Sequence, residues 1–286
     1  AMAANVALVL SDDGGPYAEF ASSFEEYNSK STWKISYVGK IEGHSSAPLR
    51  PDLIIAVGSE AFRASLALAT PTPILATLIP RHSYEKILAE FGRSRPRAST
   101  SAIVLDQPPA RLGAFIRLLL PTYQRVGLLS SDETRSQLPA LRQALGSLIL
   151  DHEDVSGDPA LLGAINNLLP RVNLLLALPD GKIYKRENVK SILVTTFRHQ
   201  RPVIAFSKAF VTAGALAAIY STPVQLARQS SDLLLTLPAG SFSLPAIQAP
   251  SQFAISINSN VAQSLNLDLP DEASLRRALQ LDGAPK

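Results

Sequence analysis

VNLLLALPDGKIYKRENVKSILVTTFRHQRPVIAFSKAFVTAGALAAIYST, residues 172–222, decides how this chain folds. Val172 to Leu178 is an apolar run too short for a helix, closed at once by Pro179-Asp180-Gly181, which reads as a buried strand followed by a loop. From Glu187 to His199 the apolar residues Val189, Ile192, Leu193, Val194 and Phe197 fall at helical spacing, and Arg201-Pro202 stops the helix before a second apolar run, Val203 to Phe206. Strand, helix, strand is a βαβ unit. A third run, Ala215 to Tyr220, ends in Ser221-Thr222-Pro223, where a new helix starts with Thr222 as N-cap and Pro223 at its first position. The C-terminal tips of these strands carry Pro179-Asp180, Ser207-Lys208 and Tyr220-Ser221-Thr222, and in an open parallel sheet ligands bind outside such tips.

Upstream, strands are expected at Asn5 to Leu10, Trp33 to Val38, Leu53 to Val57, Ile74 to Leu78 and Ala102 to Leu105. Between them lie helices Tyr17 to Tyr27, Glu60 to Leu68 with Ser59 as N-cap, and Tyr84 to Phe91. From Gln107 the order of elements begins again and leads into the opening stretch. After Thr222 come a helix to about Leu237, a Pro- and Ser-rich loop from Pro238 to Pro250, a strand from Phe253 to Ile257 and two short helices, Val261 to Leu265 and Glu272 to Leu279. The fold class is therefore α/β: two doubly wound lobes with parallel central sheets, joined by a hinge. The expected domains are 1–104 plus about 222–257, then 105–221, with 258–286 left unassigned. A ligand would lie between the lobes, an outline that dinucleotide dehydrogenases and glycosyltransferases share.

Composition bounds the chemistry. The 286 residues are 46% hydrophobic and 18% charged, an ordinary globular balance, and the formal charge is only +3. Arg93, Arg95 and Arg97 form the densest basic cluster, without aromatic interleaving, and read as a solvated loop; no nucleic-acid partner is expected. No apolar run reaches the roughly 18 residues of a membrane span. The absence of Cys excludes disulfides, thiolate metal sites and a Cys nucleophile, and is compatible with an oxidising compartment. Ala1-Met2-Ala3-Ala4 reads as a tag scar on a chain whose export signal has been removed, with a native cytosolic start as the alternative.

Sites with known signatures are missing. Ser11-Asp12-Asp13-Gly14-Gly15-Pro16 supplies no G-x-G-x-x-G, and its acidic pair would repel a pyrophosphate. Val57-Gly58-Ser59-Glu60-Ala61 lacks the second glycine of a nucleophile elbow. His44, His82, His152 and His199 form no spaced ligand pair, and alternation along Asp151-His152-Glu153-Asp154 sends neighbours to opposite faces. No catalytic residue, metal or cofactor is expected. What remains is a series of polar groups at strand tips. On the first lobe they are Ser11, Asp12, Gly58, Ser59, Glu60 and Thr77; on the second, Ser130, Ser131, Asp180, Ser207, Lys208, Tyr220 and Ser221. Hydroxyls, helix-start amides and a few carboxylates suit a small polar ligand. Asp180 and Glu60 would receive an ammonium, amides near Ser59 and Ser131 a carboxylate, and Tyr220 would stack on the ligand or pack at the lobe boundary.

The chain also resembles a family. Leu176-Ala177-Leu178-Pro179-Asp180 with Tyr184, Ile192 to Arg198, Pro202 to Ser207 and Gly214 to Ala218 are similar to the periplasmic substrate-binding components of a group of bacterial ABC transporters. Pro51 to Gly58, Leu118-Leu119-Leu120-Pro121 before Arg125 to Leu129, and the close from Gln229 through Phe253 to Asn258 and Val261 to Pro270 resemble them too. Some relatives in that group bind aromatic amino acids such as tryptophan. The resemblance implies a type I periplasmic-binding-protein fold, location in the periplasm or at the outer face of the inner membrane, an ABC permease partner and a monomer that traps a small molecule. The chain departs from the family's pattern at Ser11 to Pro16, at Ile79-Pro80-Arg81-His82 and at Ile219-Tyr220-Ser221-Thr222, where ligand contacts are expected. A sensing domain that signals to a membrane receptor is the second reading, and a two-lobed enzyme the third.

Overall fold

Leu53 to Val57, five residues without a polar side chain, is buried on both faces and forms the middle of a parallel sheet. The computed structural model describes residues 4–41, 50–155, 158–238, 240 and 243–282. His44, most of the loop expected at 44–51, and the first three residues lie outside them.

In chain order, β1 (Ala4–Leu10), α1 (Gly15–Tyr27), β2 (Trp33–Gly39), β3 (Leu53–Val57), α2 (Ser59–Ala67), β4 (Ile74–Thr77), α3 (Arg81–Phe91) and β5 (Thr100–Ile103) build the first unit. The second contains α4 (Pro109–Leu119), β6 (Arg125–Ser130), α5 (Leu138–Leu145), β7 (Ile149–Asp154), α6 (Asp158–Leu168), β8 (Leu174–Leu176), α7 (Arg186–Arg198), β9 (Val203–Ala205), α8 (Lys208–Ala213) and β10 (Ala217–Tyr220). Then α9 (Pro223–Thr236) returns to the first unit, and β11 (Ala254–Ile257), α10 (Ser259–Ser264) and α11 (Glu272–Asp282) to the second.

The first sheet has the order β2-β1-β3-β4-β5, all parallel. The two-residue period of its strands divides the core. Val6, Leu8, Leu53, Ile55 and Val57 point to one face and pack under Phe20 and Phe24 of α1 and Leu226 and Leu234 of α9. Ala7, Val9, Ile54 and Ala56 point to the other, under Phe62 of α2 and Tyr84 of α3. The second sheet runs β11-β10-β9-β8-β6-β7. Counted from β6, its parallel strands repeat the order of the first, second-first-third-fourth-fifth. In each unit the order reverses between the first and third strands, the topological switch point of a doubly wound sheet.

Three expectations are corrected. The strand at 254–257 joins the second sheet and not the first: it pairs antiparallel with β10, Ala217 opposite Ile257 and Tyr220 opposite Ala254. Alternation along Phe253 to Ile257 shows a strand but carries no partner; Asn258 supplies one, its amide bonding Leu216 O and its side-chain Nδ2 bonding Val211 O. Second, Ser59 is not the cap of α2. Gly58 holds the N-cap position at φ +96°, and the Ser11 hydroxyl, from the neighbouring strand tip, accepts the Ala61 N–H at 2.9 Å. Third, α3 begins at Arg81 and not Tyr84, because the Asp106 carboxylate accepts the Arg81 N–H at 2.7 Å. The six-residue α8, capped by Ser207 Oγ on the Phe210 N–H, was not legible as a helix. By contrast, Thr222 is an N-cap with Pro223 in the first turn, completed by Gln225 as a capping box.

Gly58 has a steric reason to be glycine. Its φ is positive, and a Cβ there would overlap Ser11 Oγ and the Tyr17 ring. Gly58→Ala is expected to destabilise the first unit by about 2–3 kcal/mol through strain and overpacking. Trp33, the sole tryptophan and 6% exposed, lies in that unit, with its indole N–H on Leu234 O. Its fluorescence reads the effect as a lower urea midpoint; an unchanged midpoint would show that the site relaxes freely.

Candidate functional site

At the switch point of the first unit, Ser11 bridges two loops. Its Oγ donates to Val57 O at 2.8 Å and accepts from the Ala61 N–H, so its hydroxyl serves structure on both sides. Asp12 is exposed, and its Oδ1 accepts the neighbouring Asp13 N–H at 2.8 Å. Ser59 is half-buried, and Glu60 is exposed and paired with Arg63 along α2, a surface pair of small energetic weight. Thr77, fully buried at the end of β4, has an Oγ1 without a hydrogen-bond partner among the described residues. Asp12, Ser59, Glu60 and Thr77 thus retain polar capacity at these tips, while Ser11 and Gly58 are committed to the turn.

The second unit's switch point is built on Asp180. The residue is 3% exposed, and its two carboxylate oxygens accept four hydrogen bonds. Oδ2 takes the hydroxyls of Ser131 at 2.6 Å and Thr134 at 2.8 Å; Oδ1 takes the amides of Lys182 at 2.9 Å and Ile183 at 3.3 Å. Burial acts to raise its pKa, and the hydrogen bonds around it, led by those from the Ser131 and Thr134 hydroxyls, together hold the carboxyl below its ordinary value. Around this centre the Glu133 carboxylate accepts the Gly181 N–H at 2.6 Å, and Lys182 Nζ pairs with Asp132 at 2.6 Å. Asp180, expected to receive a ligand ammonium, has its lone pairs filled from within the unit, and it fastens the loop after β8 to the loop after β6.

The remaining second-unit candidates divide the same way. Ser130 is buried with its Oγ 3.5 Å from Asp154 Oδ1, and Ser207 caps α8. Lys208, at the first position of α8, is exposed. Tyr220 is half-buried against the core, its hydroxyl 2.8 Å from Ser256 Oγ on β11. Ser221, which belongs to the first unit, donates to Gln252 O at 2.6 Å. Sequence reasoning missed Thr134, Asp106 and Arg111. The last is 2% exposed, hydrogen-bonds Gln107 Oε1 at 2.7 Å, and has a pKa lowered by burial. An arginine in the apolar helix Ala110 to Leu120 is the one signal that pointed to it.

The acidic run at β7 behaves as strand alternation requires. Asp151 and Glu153 face the same way and share Arg171, at 2.8 and 2.9 Å, while Asp154 pairs with Arg135 at 2.6 Å. His199 Nε2 lies 3.3 Å from Asn166 Oδ1.

No family model and no curated protein matches the sequence. Solved structures do. The ligand-free, open structure of a substrate binding protein with adhesive properties from Clostridium difficile matches with a TM-score of 0.71 and 14% identity over 94% of this chain and 96% of that one. A conserved domain protein from Vibrio cholerae matches at 0.64, with 14% identity over 96% and 98% of the two chains. An ABC domain in complex with L-Trp from Streptococcus pneumoniae matches at 0.63, with 13% identity over 99% of each. The fold is that of the type I periplasmic-binding proteins. No helix among the described residues is long and apolar enough to cross a membrane.

Because the folded pKa of Asp180 lies below the unfolded value of about 3.9, its contribution to stability is complete above that value and is lost as pH falls through the folded pKa. Asp180→Asn is expected to lower stability by about 2 kcal/mol at neutral pH. Its deficit relative to the unsubstituted protein should shrink on acidification below about pH 4. Urea melts at several pH values measure this, and a deficit independent of pH would contradict the assignment.

Proposed function

We propose that this protein is an extracytoplasmic solute-binding protein of an ABC-type uptake system, taking a small polar organic ligand such as an amino acid. The observation that carries the reading is the end-to-end correspondence of fold with a substrate binding protein and with an ABC domain bound to L-Trp. Binding proteins of ABC systems deliver small ligands to membrane permeases, so the reading implies a permease partner and a place in the periplasm or at the outer face of the inner membrane. It makes the protein a binder and not an enzyme, acting as a monomer.

Within this proposal the ligand is met by strand-tip groups that are not consumed in caps and turns. Asp12, Ser59, Glu60 and Thr77 serve in the first unit, and Lys208 and Tyr220 in the second. The carboxylates of Asp12 and Glu60 suit an ammonium, the Lys208 ammonium a carboxylate, and the Tyr220 ring an apolar part. Ser11, Gly58, Ser130, Ser131, Asp180, Ser207 and Ser221 support this surface through their caps and turns.

Native mass spectrometry of freshly purified protein is expected to show a retained small molecule, lost on denaturation and rebound intact after refolding. A thermal-shift series over amino acids and small organic ions then ranks ligands by the stabilisation each confers. Asp12→Ala and Lys208→Ala should each weaken the best ligand about tenfold, the loss of one charged hydrogen bond. No retained mass together with no stabilisation by any compound would overturn the proposal, and turnover of the retained molecule would replace it with an enzyme.

A further inference from the structure

We infer that the second unit carries another binding site, for an amphiphilic anion with an apolar body and one acidic head, in the groove between α7 and α8. The groove encloses about 1140 Å³. It shares Ser207 with the strand tips and otherwise lies along the two helices, closed at one side by Val261 of α10. This inference does not rest on the uptake function proposed above.

The floor is aromatic. Tyr184, Phe206 and Phe210 meet edge to face, with ring centroids 5.5 to 5.8 Å apart, in the same hydrophobic cluster as the buried Leu193. Above them α7 exposes Val194 at 42% and Phe197 at 58%, three residues apart on the side where a surface helix ordinarily places polar groups. An exposed apolar concavity of this kind marks a recognition site.

The rim supplies the sign of the ligand's charge. Arg186, Lys190 and Arg198 all line the groove, and none forms an ion pair with a described residue. Glu187, the nearest carboxylate in sequence, is paired with neither Arg186 nor Lys190. These two cations stand at i and i+4, a spacing at which like charges repel. An acidic head between them relieves that repulsion, and a tail running over Leu193, Val194 and Phe197 covers the apolar floor. From Lys190 to Phe197 the helix rises about 10 Å, the reach of a medium-length alkyl or fused-ring body. The surface is concave, which suits an inserted molecule better than a flat membrane. Arg186 and Lys190, one turn apart, can share a single acidic head, while Arg198 stands about 12 Å further along α7 and leaves the apolar stretch between them for the body.

Dodecanoate, kept below its micellar concentration and titrated calorimetrically, is the probe. Saturable one-to-one binding is expected. It should weaken about tenfold or more in Arg186→Glu/Lys190→Glu, by loss of the charge-assisted contact, with the melting temperature unchanged. Phe197→Ser, at an exposed position that folding does not need, should also weaken it. Dodecyltrimethylammonium, of equal length and opposite charge, should bind far less well. Absence of saturable binding, equal affinity in the charge-reversed variant, or equal affinity for the cation would overturn the inference. Binding of anionic vesicles or of an acidic amphipathic peptide without binding of dodecanoate would also overturn it, in favour of a membrane or a protein partner.

Discussion

At each topological switch point a serine hydroxyl ties the loop after the first strand of a sheet to the loop after its third. Ser11 does so through Val57 O and the Ala61 amide, and Ser131 through the Asp180 carboxylate. The constraint is general: where strand order reverses, the chain leaves in opposite directions and opens a crevice into which backbone amides and carbonyls point. Unless those groups are paired, the crevice carries a desolvation penalty. One hydroxyl, both donor and acceptor, meets the need at the first unit. The second unit meets it with a buried carboxylate and four donors.

The difference between the two solutions has consequences. Ser11 sits so close to Gly58 that a Cβ there would overlap its hydroxyl, so the first switch point is tight, and the carboxylates nearby, Asp12 and Glu60, remain at the surface. The second is charged and closed: Asp132 with Lys182, Glu133 with the Gly181 amide, and Asp180 beneath them. Its acids are consumed in holding two loops together. Polar capacity not consumed in this way lies beyond the switch point, at Lys208 of α8. The apolar groove beside α8 extends this, since Ser207 both starts that helix and lines the groove.

Polar residues at strand tips thus divide by the work they do. A side-chain oxygen that accepts the amide of the third residue of the helix it precedes is part of that helix, as those of Ser207, Thr222 and Asn258 are. An exposed group with capacity left over, such as Lys208, is available to something else. Sequence types do not separate these cases, because Ser, Thr, Asp and Asn are favoured in both.

Periodicity and punctuation along the chain determined the α/β class, the repetition of one doubly wound plan, and the existence of nearly every strand, because buried parallel strands such as LIIAV and LLL are apolar on both faces and are bounded by Gly, Pro and Asp. They also marked Thr222 and Pro223 as a helix start, since the capping box is made by residues three apart. The tertiary structure alone decided what depends on residues distant in sequence. Ser11 caps a helix about fifty positions away, Asp106 starts α3, Asp180 is filled by Ser131 and Thr134, and β11 takes its place beside β10. A hydrogen bond between loops of neighbouring strands leaves no periodic trace in the chain, because its partners are brought together by strand order, and strand order is set by how the helices cover the two faces of each sheet.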